Sequence, residues 1–179
     1  MRTQRKLLIE QLSKLTRIGT TRNKRKSMKS TLIKSRLVLI ENGRVLLLRQ
    51  TKKNGGNYTL VGGKVEAGEN ARKCLVREGR EEAGIILREE DLQLAHVLHK
   101  NTPGGHRVTM YFQTRKWQGH LRSREPHKFK SVEWCSVHDL PQNITGTVRH
   151  VLEQIQEGHL YSEFSKKNLL KKIAEQKVL

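Results

Sequence analysis

The sequence predicts an α/β fold in which a mixed sheet is flanked by helices on both faces. Three observations lead there. Short aliphatic runs such as Leu37-Val38-Leu39-Ile40 and Val45-Leu46-Leu47-Leu48 are bounded by turn residues, as in buried strands. Two segments with helical spacing, beginning near Asn70 and near Gly146, stand among them. Strands and helices do not alternate strictly, so an all-parallel sheet is not implied. With 179 residues the chain fits one domain with extensions.

From the N-terminus, Leu8, Leu12, Leu15 and Ile18 recur at helical spacing within Arg5 to Ile18, a short basic amphipathic helix stopped by Gly19. Thr20 to Ser30 is a polar, basic linker. Thr31 to Ile40 is a strand by its β-branched and aliphatic content, Glu41-Asn42-Gly43 a hairpin turn, and Arg44 to Arg49 the returning strand. Lys52 to Asn57 is a Gly-rich loop, and Tyr58 to Val61 a short strand leading into Gly62-Gly63. Asn70 caps a helix that reaches about Ala83, with Gly84 at its end. Leu92 to Leu98 and Val108 to Arg115 are strands joined through Thr102-Pro103-Gly104-Gly105. Gln118-Gly119 is a turn and Ser131 to Val137 a strand. Gly146 to Gln156 is an amphipathic helix ended by Gly158, and Asn168 to Gln176 a last basic helix. No internal repeat is visible.

The formal net charge is +19, and it is unevenly placed. Residues 1 to 34 hold eleven Lys/Arg and one acid, Glu10; residues 165 to 179 hold five Lys and one Glu. Basic surface favours polyanions such as nucleotides, nucleic acid or acidic membrane, and is also compatible with a solvated tail that has no dedicated partner. Cys74 and Cys135 lie in unrelated segments, with neither metal-ligand spacing nor a disulfide framework, which suits a reducing compartment. No apolar run approaches a membrane span, and no secretory h-region is present. A cytoplasmic location is expected; the basic, Ser/Thr-containing first thirty residues keep a mitochondrial alternative open, which Glu10 and the dense Lys/Arg cluster fit poorly.

The chemistry concentrates in Gly63 to Ile85. Glu78, Glu81 and Glu82 stand at i, i+3 and i+4, within one face of an α-helix. Three clustered carboxylates repel one another, so a cation is their natural partner, and oxygen ligands suit Mg²⁺ or Mn²⁺ rather than zinc. A metal there can neutralise phosphate oxygens and activate water. Taken alone, the same glutamates also read as a solvated helix face paired with Arg77 and Arg80.

The full spacing decides between these readings. The segment resembles the Nudix box, Gly-x5-Glu-x7-Arg-Glu-U-x-Glu-Glu-x-Gly-U with U bulky and apolar, and Gly63, Glu69, Arg77, Glu78, Glu81, Glu82, Gly84 and Ile85 fall in register. Seven fixed residues at ordinary frequencies would coincide about once in 10⁸ starting positions. Gly79 departs from the pattern at the first U. Upstream, Tyr58 to Glu66 looks like the usual approach to the box, with Val61 where MutT-type members often have proline. Downstream, Arg107 to Trp117, Gly119, Ser123-Arg124-Glu125 and Glu133-Trp134 are similar to MutT-type enzymes. The likeness covers about residues 33 to 155.

The resemblance implies a Nudix-type α/β/α sandwich over residues 31–164, between a basic N-terminal extension (1–30) and a basic C-terminal helix (165–179). It implies Glu78, Glu81 and Glu82 as ligands of Mg²⁺ or Mn²⁺, with the carbonyl of Gly63 or Gly62 completing the shell. Arg77 would orient a carboxylate, Lys64 meet substrate phosphate, Glu69 support the loop or a second metal, and Glu125 serve as ligand or general base. Arg49 touches phosphate or simply ends a strand. Asn143 recognises a base or is a turn asparagine. The reaction expected is hydrolysis of a nucleoside (deoxy)triphosphate, or of a related nucleoside diphosphate-linked compound, to a monophosphate. Alternatives are an RNA 5′-end pyrophosphohydrolase, or a nucleic-acid- or partner-binding protein with a weak Nudix core. Nucleic acid bound through the basic N-terminus is the expected partner beyond the nucleotide substrate.

Overall fold

The computed structural model describes residues 30–164. The expected helices at Arg5–Ile18 and Asn168–Gln176 lie outside these residues. In chain order the elements are β1 (Ser30–Val38), β2 (Ile40–Glu41), β3 (Arg44–Gln50), β4 (Tyr58–Thr59), α1 (Ala71–Glu78) and a π-helical turn over Gly79–Ala83. They continue with β5 (Ile85–Ile86), β6 (Gln93–Thr102), β7 (Gly105–Gln113), β8 (Gln118–Gly119), β9 (Phe129–Ser136), α2 (Gly146–Gln156) and β10 (Tyr161–Glu163).

The strands form a mixed sheet in the order β1-β7-β6-β10, an antiparallel sheet in which β3 pairs with β2, β4 and β9, and a small β5-β8 ribbon. In the mixed sheet β1 runs parallel to β7 and β10 parallel to β6, whereas β6 and β7 are an antiparallel hairpin. The continuous apolar run of β3 has a clear origin: it is buried on both faces. Leu46 and Leu48 join the cluster that holds Leu75 of α1, while Val45 and Leu47 join the cluster that holds Val148 and Val151 of α2. Side chains alternate across a strand, so β3 feeds two cores at once and the two helices cover opposite sides.

Several expected elements change their limits. The single strand expected over Thr31–Ile40 breaks at Leu39, whose carbonyl accepts the Leu46 N–H at 2.9 Å. The chain changes sheets there, and equal aliphatic content on both sides of the break conceals it. Asn42 (φ 48°) and Gly43 (φ 71°) then make the hairpin turn, the left-handed pair that a type I′ turn requires. The strand expected over Tyr58–Val61 leaves β3 after Thr59 and turns to β1. The Leu37 N–H donates to the Val61 carbonyl (2.9 Å), and the Ser35 N–H to that of Gly63 (3.0 Å). This irregular segment links the two sheets and carries the Gly-Gly turn. The Gln118-Gly119 turn is instead a ribbon strand paired with Ile85–Ile86, and β10 adds an edge strand that no sequence pattern announced.

Candidate active site

The site begins at Gly62 and Gly63. Gly62 has φ +127°, and a Cβ there would lie 2.2 Å from the Ser35 carbonyl oxygen. Only glycine tolerates that approach. A Cβ on Gly63 would lie 2.0 Å from Glu78 Oε1, so the carboxylate packs directly on the peptide. Arg36 fixes the turn from below: its Nη1 donates to the Leu60 carbonyl at 2.8 Å and to that of Gly62.

The helix that supplies the carboxylates is capped as expected, Asn70 Oδ1 accepting the N–H groups of Arg72 and Lys73, both at 2.9 Å. Its α-helical part ends at Glu78, and Gly79–Ala83 form the π turn, closed by the Gly84 N–H on the Gly79 carbonyl. The expectation of an unbroken α-helix is therefore corrected: Glu78 ends the α-helical part, and Glu81 and Glu82 stand on the π turn. Glu82 is buried, 5% exposed, and accepts the Gly62 N–H at 2.7 Å. Burial pushes its carboxyl up to about 7, and the negative charges of Glu78 and Glu125 add to this, against the Gly62 N–H and Arg36. Glu81 is more open, its side chain 52% exposed, and accepts Arg77 Nη1 at 3.1 Å.

Arg77 gathers three carboxylates. Nη2 and Nε take Glu69 Oε1 and Oε2 at 2.8 and 3.2 Å, while Nη1 reaches both Glu78 Oε1 and Glu81 Oε2 at 3.1 Å. This fork raises the guanidinium pKa, chiefly through Glu69, and holds the Glu69 carboxyl down at about 2. Glu69 also accepts the Glu66 N–H at 2.9 Å, bracing the loop between Gly63 and the helix. Glu125 arrives on a separate loop that is laced to the π turn, with Arg124 N–H on the Glu82 carbonyl and Arg122 N–H on that of Ala83, both 3.1 Å. Its own carboxylate meets Lys128 Nζ at 2.7 Å. Two groupings result: Glu78 and Glu82 beside the Gly-Gly turn, and Glu69, Glu78 and Glu81 around Arg77.

Of the three expected substrate contacts, Arg49 and Asn143 both adjoin Tyr58, and Lys64 pairs with β1. Lys64 forms an isolated antiparallel bridge with Lys34, and its carbonyl accepts the Cys74 thiol at 3.3 Å. The Arg49 guanidinium lies 5.7 Å from the centroid of the Tyr58 ring, whose hydroxyl donates to Glu133 at 2.8 Å. Asn143 Nδ2 donates to the Gly56 carbonyl at 2.8 Å and its own carbonyl accepts the Tyr58 N–H, so it fastens the Gly-rich loop. Sequence reasoning missed a basic cavity of about 170 Å³ on the α2 side of the mixed sheet. Lys34, Arg36, Lys100 and Arg107 line it, with Thr59, Thr109, Thr145 and Thr147. The signal was present as Lys34 and Arg36 at alternate positions of a strand, which share one face.

Among the described residues, no group of three or more His, Cys, Asp or Glu side chains is gathered as a ready-made metal shell. Arg77 occupies oxygens of Glu78 and Glu81. The donor chemistry nevertheless fits a hard divalent cation. Every carboxylate offers oxygen only, Glu82 is buried and makes no salt bridge among the described residues, and the Gly63 peptide leaves no room for a side chain over Glu78.

A family model described as the NUDIX domain matches residues 32–155. The chain belongs to the Nudix family. It is 36% identical over 108 residues to the NAD-capped RNA hydrolase NudC of Pseudomonas entomophila strain L48, a match that covers 60% of this chain and 37% of that protein. NudC of Pseudomonas aeruginosa PAO1 is 33% identical over a stretch of the same length. The chain thus spans little more than a third of these curated relatives. Among solved structures, the MutT NUDIX hydrolase from Burkholderia pseudomallei superposes with a TM-score of 0.63 at 29% identity, covering 70% of this chain and 98% of that one. The MutT protein from Methanosarcina mazei Go1 gives 0.62 at 20% identity over 73% and 96%, a likeness of fold. This Nudix chain has the α/β/α arrangement expected of it, and no helix among its described residues is long and apolar enough to cross a membrane.

Proposed function

We propose that this Nudix chain hydrolyses a phosphoanhydride bond, in a nucleoside (deoxy)triphosphate or a related nucleoside diphosphate-linked compound, and releases a monophosphate with the help of Mg²⁺ or Mn²⁺. The observation that carries the reading is the packing of Glu78 against Gly63 and of Glu82 on the Gly62 N–H, at a turn that Arg36 of the basic cavity also holds. Held by Glu78, Glu81 and Glu82 and a Gly63 carbonyl, a divalent cation would neutralise phosphoryl oxygens and lower the pKa of water. The protein supplies positioning. Arg77 fixes Glu78 and Glu81, Arg36 fixes the turn, and Lys64 and Arg49 offer positive charge to substrate phosphate. Glu125 serves as the base that takes a proton from the attacking water. A cytoplasmic location belongs to the same proposal and agrees with two unpaired cysteines.

A second reading, an RNA 5′-end hydrolase, is favoured by relatives named for NAD-capped RNA and by the eleven Lys/Arg of the first 34 residues. One experiment separates the two. The purified chain is offered free nucleotides, triphosphorylated RNA and NAD-capped RNA with Mg²⁺ or Mn²⁺, beside Glu81→Gln, Glu82→Gln and Glu125→Gln. Turnover should fall by orders of magnitude in the first two variants while melting is retained, and Glu125→Gln should lower kcat more than it raises KM. Full activity in Glu82→Gln would remove the metal-site assignment.

A further inference from the structure

The mixed sheet is only partly covered on the side of α1. Ile33 lies opposite Val108, and Met110 opposite Val97, which in turn lies opposite Tyr161, so register puts all five on one face. Leu94, opposite Phe112, joins them beyond the β6 bulge. Near β1 the face is closed, with Leu37 and Phe112 buried in the cluster that holds Leu75 of α1. Away from α1 the cover ends. Ile33 is 39% exposed, Leu94 47% and Tyr161 54%, and Val97, Val108 and Met110 are half-buried. A hollow of about 480 Å³ separates this face from the start of α1; Ala71, Leu94, Met110 and Phe112 line it together with Glu89 and Glu90. Contiguous exposed apolar surface of this kind marks a contact.

The path of the chain narrows the occupant. β1 is the edge strand of this sheet, and twenty-nine residues precede Ser30. Among them Leu8, Leu12, Leu15 and Ile18 recur at helical spacing. At 100° per residue they form one stripe about 120° wide, with Arg5 and Lys14 on its flanks and Lys6 and Arg17 opposite. The stripe is about 15 Å long, close to the roughly 14 Å across four strands. Gly19 to Lys29 can extend to about 36–40 Å, enough to bring the stripe over the face. Segments adjacent in sequence tend to be adjacent in space, and a short tether holds this one near the face at an effective concentration of about 1 mM, which a second copy of the chain must exceed. Charge agrees. Glu89 lines the hollow and Glu163 shares the face through His99; neither makes a salt bridge among the described residues, and both suit the flanking cations. Residues 165–179 instead depart from Phe164, which packs on the cluster of the α2 side.

We propose that residues 5–18 pack in cis, as an amphipathic helix, on the open α1 side of the mixed sheet. Leu8, Leu12, Leu15 and Ile18 then face Leu94, Val97, Met110 and Tyr161, and Lys6 and Arg17 stay on the solvent side, where a polyanion can meet them. The contact stands whether or not the chain hydrolyses nucleotides. Its test is thiol labelling of the full-length chain carrying Leu94→Cys or Tyr161→Cys, read site by site from peptide masses. Ile86→Cys, at a position of similar exposure on the β5-β8 ribbon, is the reference. Replacing Leu8, Leu12 and Leu15 together by serine should speed labelling at positions 94 and 161 by at least about tenfold and leave position 86 unchanged. The same triple variant should lower Tm by roughly 4–10 °C. Buried Cys74 reports the integrity of the fold; if it too becomes reactive, Leu12→Ser alone takes the place of the triple variant. Labelling at 94 and 161 that ignores the serine substitutions would overturn the proposal. So would protection that appears only as protein concentration rises, which assigns the face to a second copy. Exposure caused by Leu169→Ser with Leu170→Ser and Ile173→Ser, and not by the N-terminal substitutions, would overturn it in favour of the C-terminal segment.

Discussion

A methyl group added at Gly62 and one added at Gly63 meet different obstacles. At Gly62 it meets backbone, the Ser35 carbonyl oxygen at 2.2 Å, with φ in the glycine region. Gly62→Ala should therefore cost on the order of 1–3 kcal/mol, about 2–4 °C in Tm for each kcal/mol, read by thermal melting. At Gly63 it meets the end of a side chain, Glu78 Oε1. Gly63→Ala should leave Tm within a few degrees and lower kcat, because Glu78 must move; a variant with normal kcat would detach Glu78 from the chemistry. Glu69 and Arg77 carry a pH prediction. The folded Glu69 carboxyl sits at about 2, below its ordinary 4.5, so the pair contributes fully above pH 4.5 and is lost as pH falls from 4.5 through 2. Urea midpoints should drop over that window more steeply for the unsubstituted protein than for Glu69→Gln. Parallel curves would show that Glu69 does not supply the dependence.

The helix bearing the carboxylates is two elements, and Gly79 marks the seam. Its conformation is ordinary helix, so left-handed freedom is not why glycine stands there. Space is the reason: a Cβ would come within 3.2 Å of Leu87 Cδ1 and 3.6 Å of the Ile85 carbonyl oxygen. The Nudix pattern places a bulky apolar residue at this position, and here Leu87, itself buried, packs against it from the following segment. Gly79→Leu should thus destabilise by roughly 1–3 kcal/mol through overpacking, although leucine is the better helix former. A raised denaturation midpoint would mean that the seam has room to spare. π turns inside helices recur at functional sites, and this one carries Glu81 and Glu82.

At the scale of the whole molecule, charge separates the chain into parts. Eleven Lys/Arg precede residue 35 with one acid, and the segment contains no Trp, Tyr or Phe. Binding of nucleic acid through it must be electrostatic, with affinity falling steeply as salt rises and little sequence preference. Deleting residues 1–30 should abolish such binding, measured in a salt titration, and leave hydrolysis of free nucleotides nearly unchanged. Equal, weak binding by both forms would make the segment a solvated extension. Loss of nucleotide turnover on truncation would instead place it within the catalytic fold.

The sequence alone determined the local and the chemical. Asn70 as cap, Asn42-Gly43 as turn, α2 to the residue and the carboxylate spacing after Gly63 all follow from signals within a few positions of one another. It also determined the family, since a motif of fixed spacing is one-dimensional information. Tertiary structure decided what depends on partners distant in the chain. Leu39 switches sheets because Leu46 and the rest of β3 claim the segment beyond it, and no aliphatic pattern records that exchange. Glu82 is buried on the Gly62 N–H, a partner from the turn twenty residues earlier. Lys34, Arg36, Lys100 and Arg107, up to 73 residues apart, became neighbours only through the β1-β7-β6 register. Hydrogen-bond register and side-chain packing act between segments, so their outcome is written in the pairings and not in any one stretch of sequence.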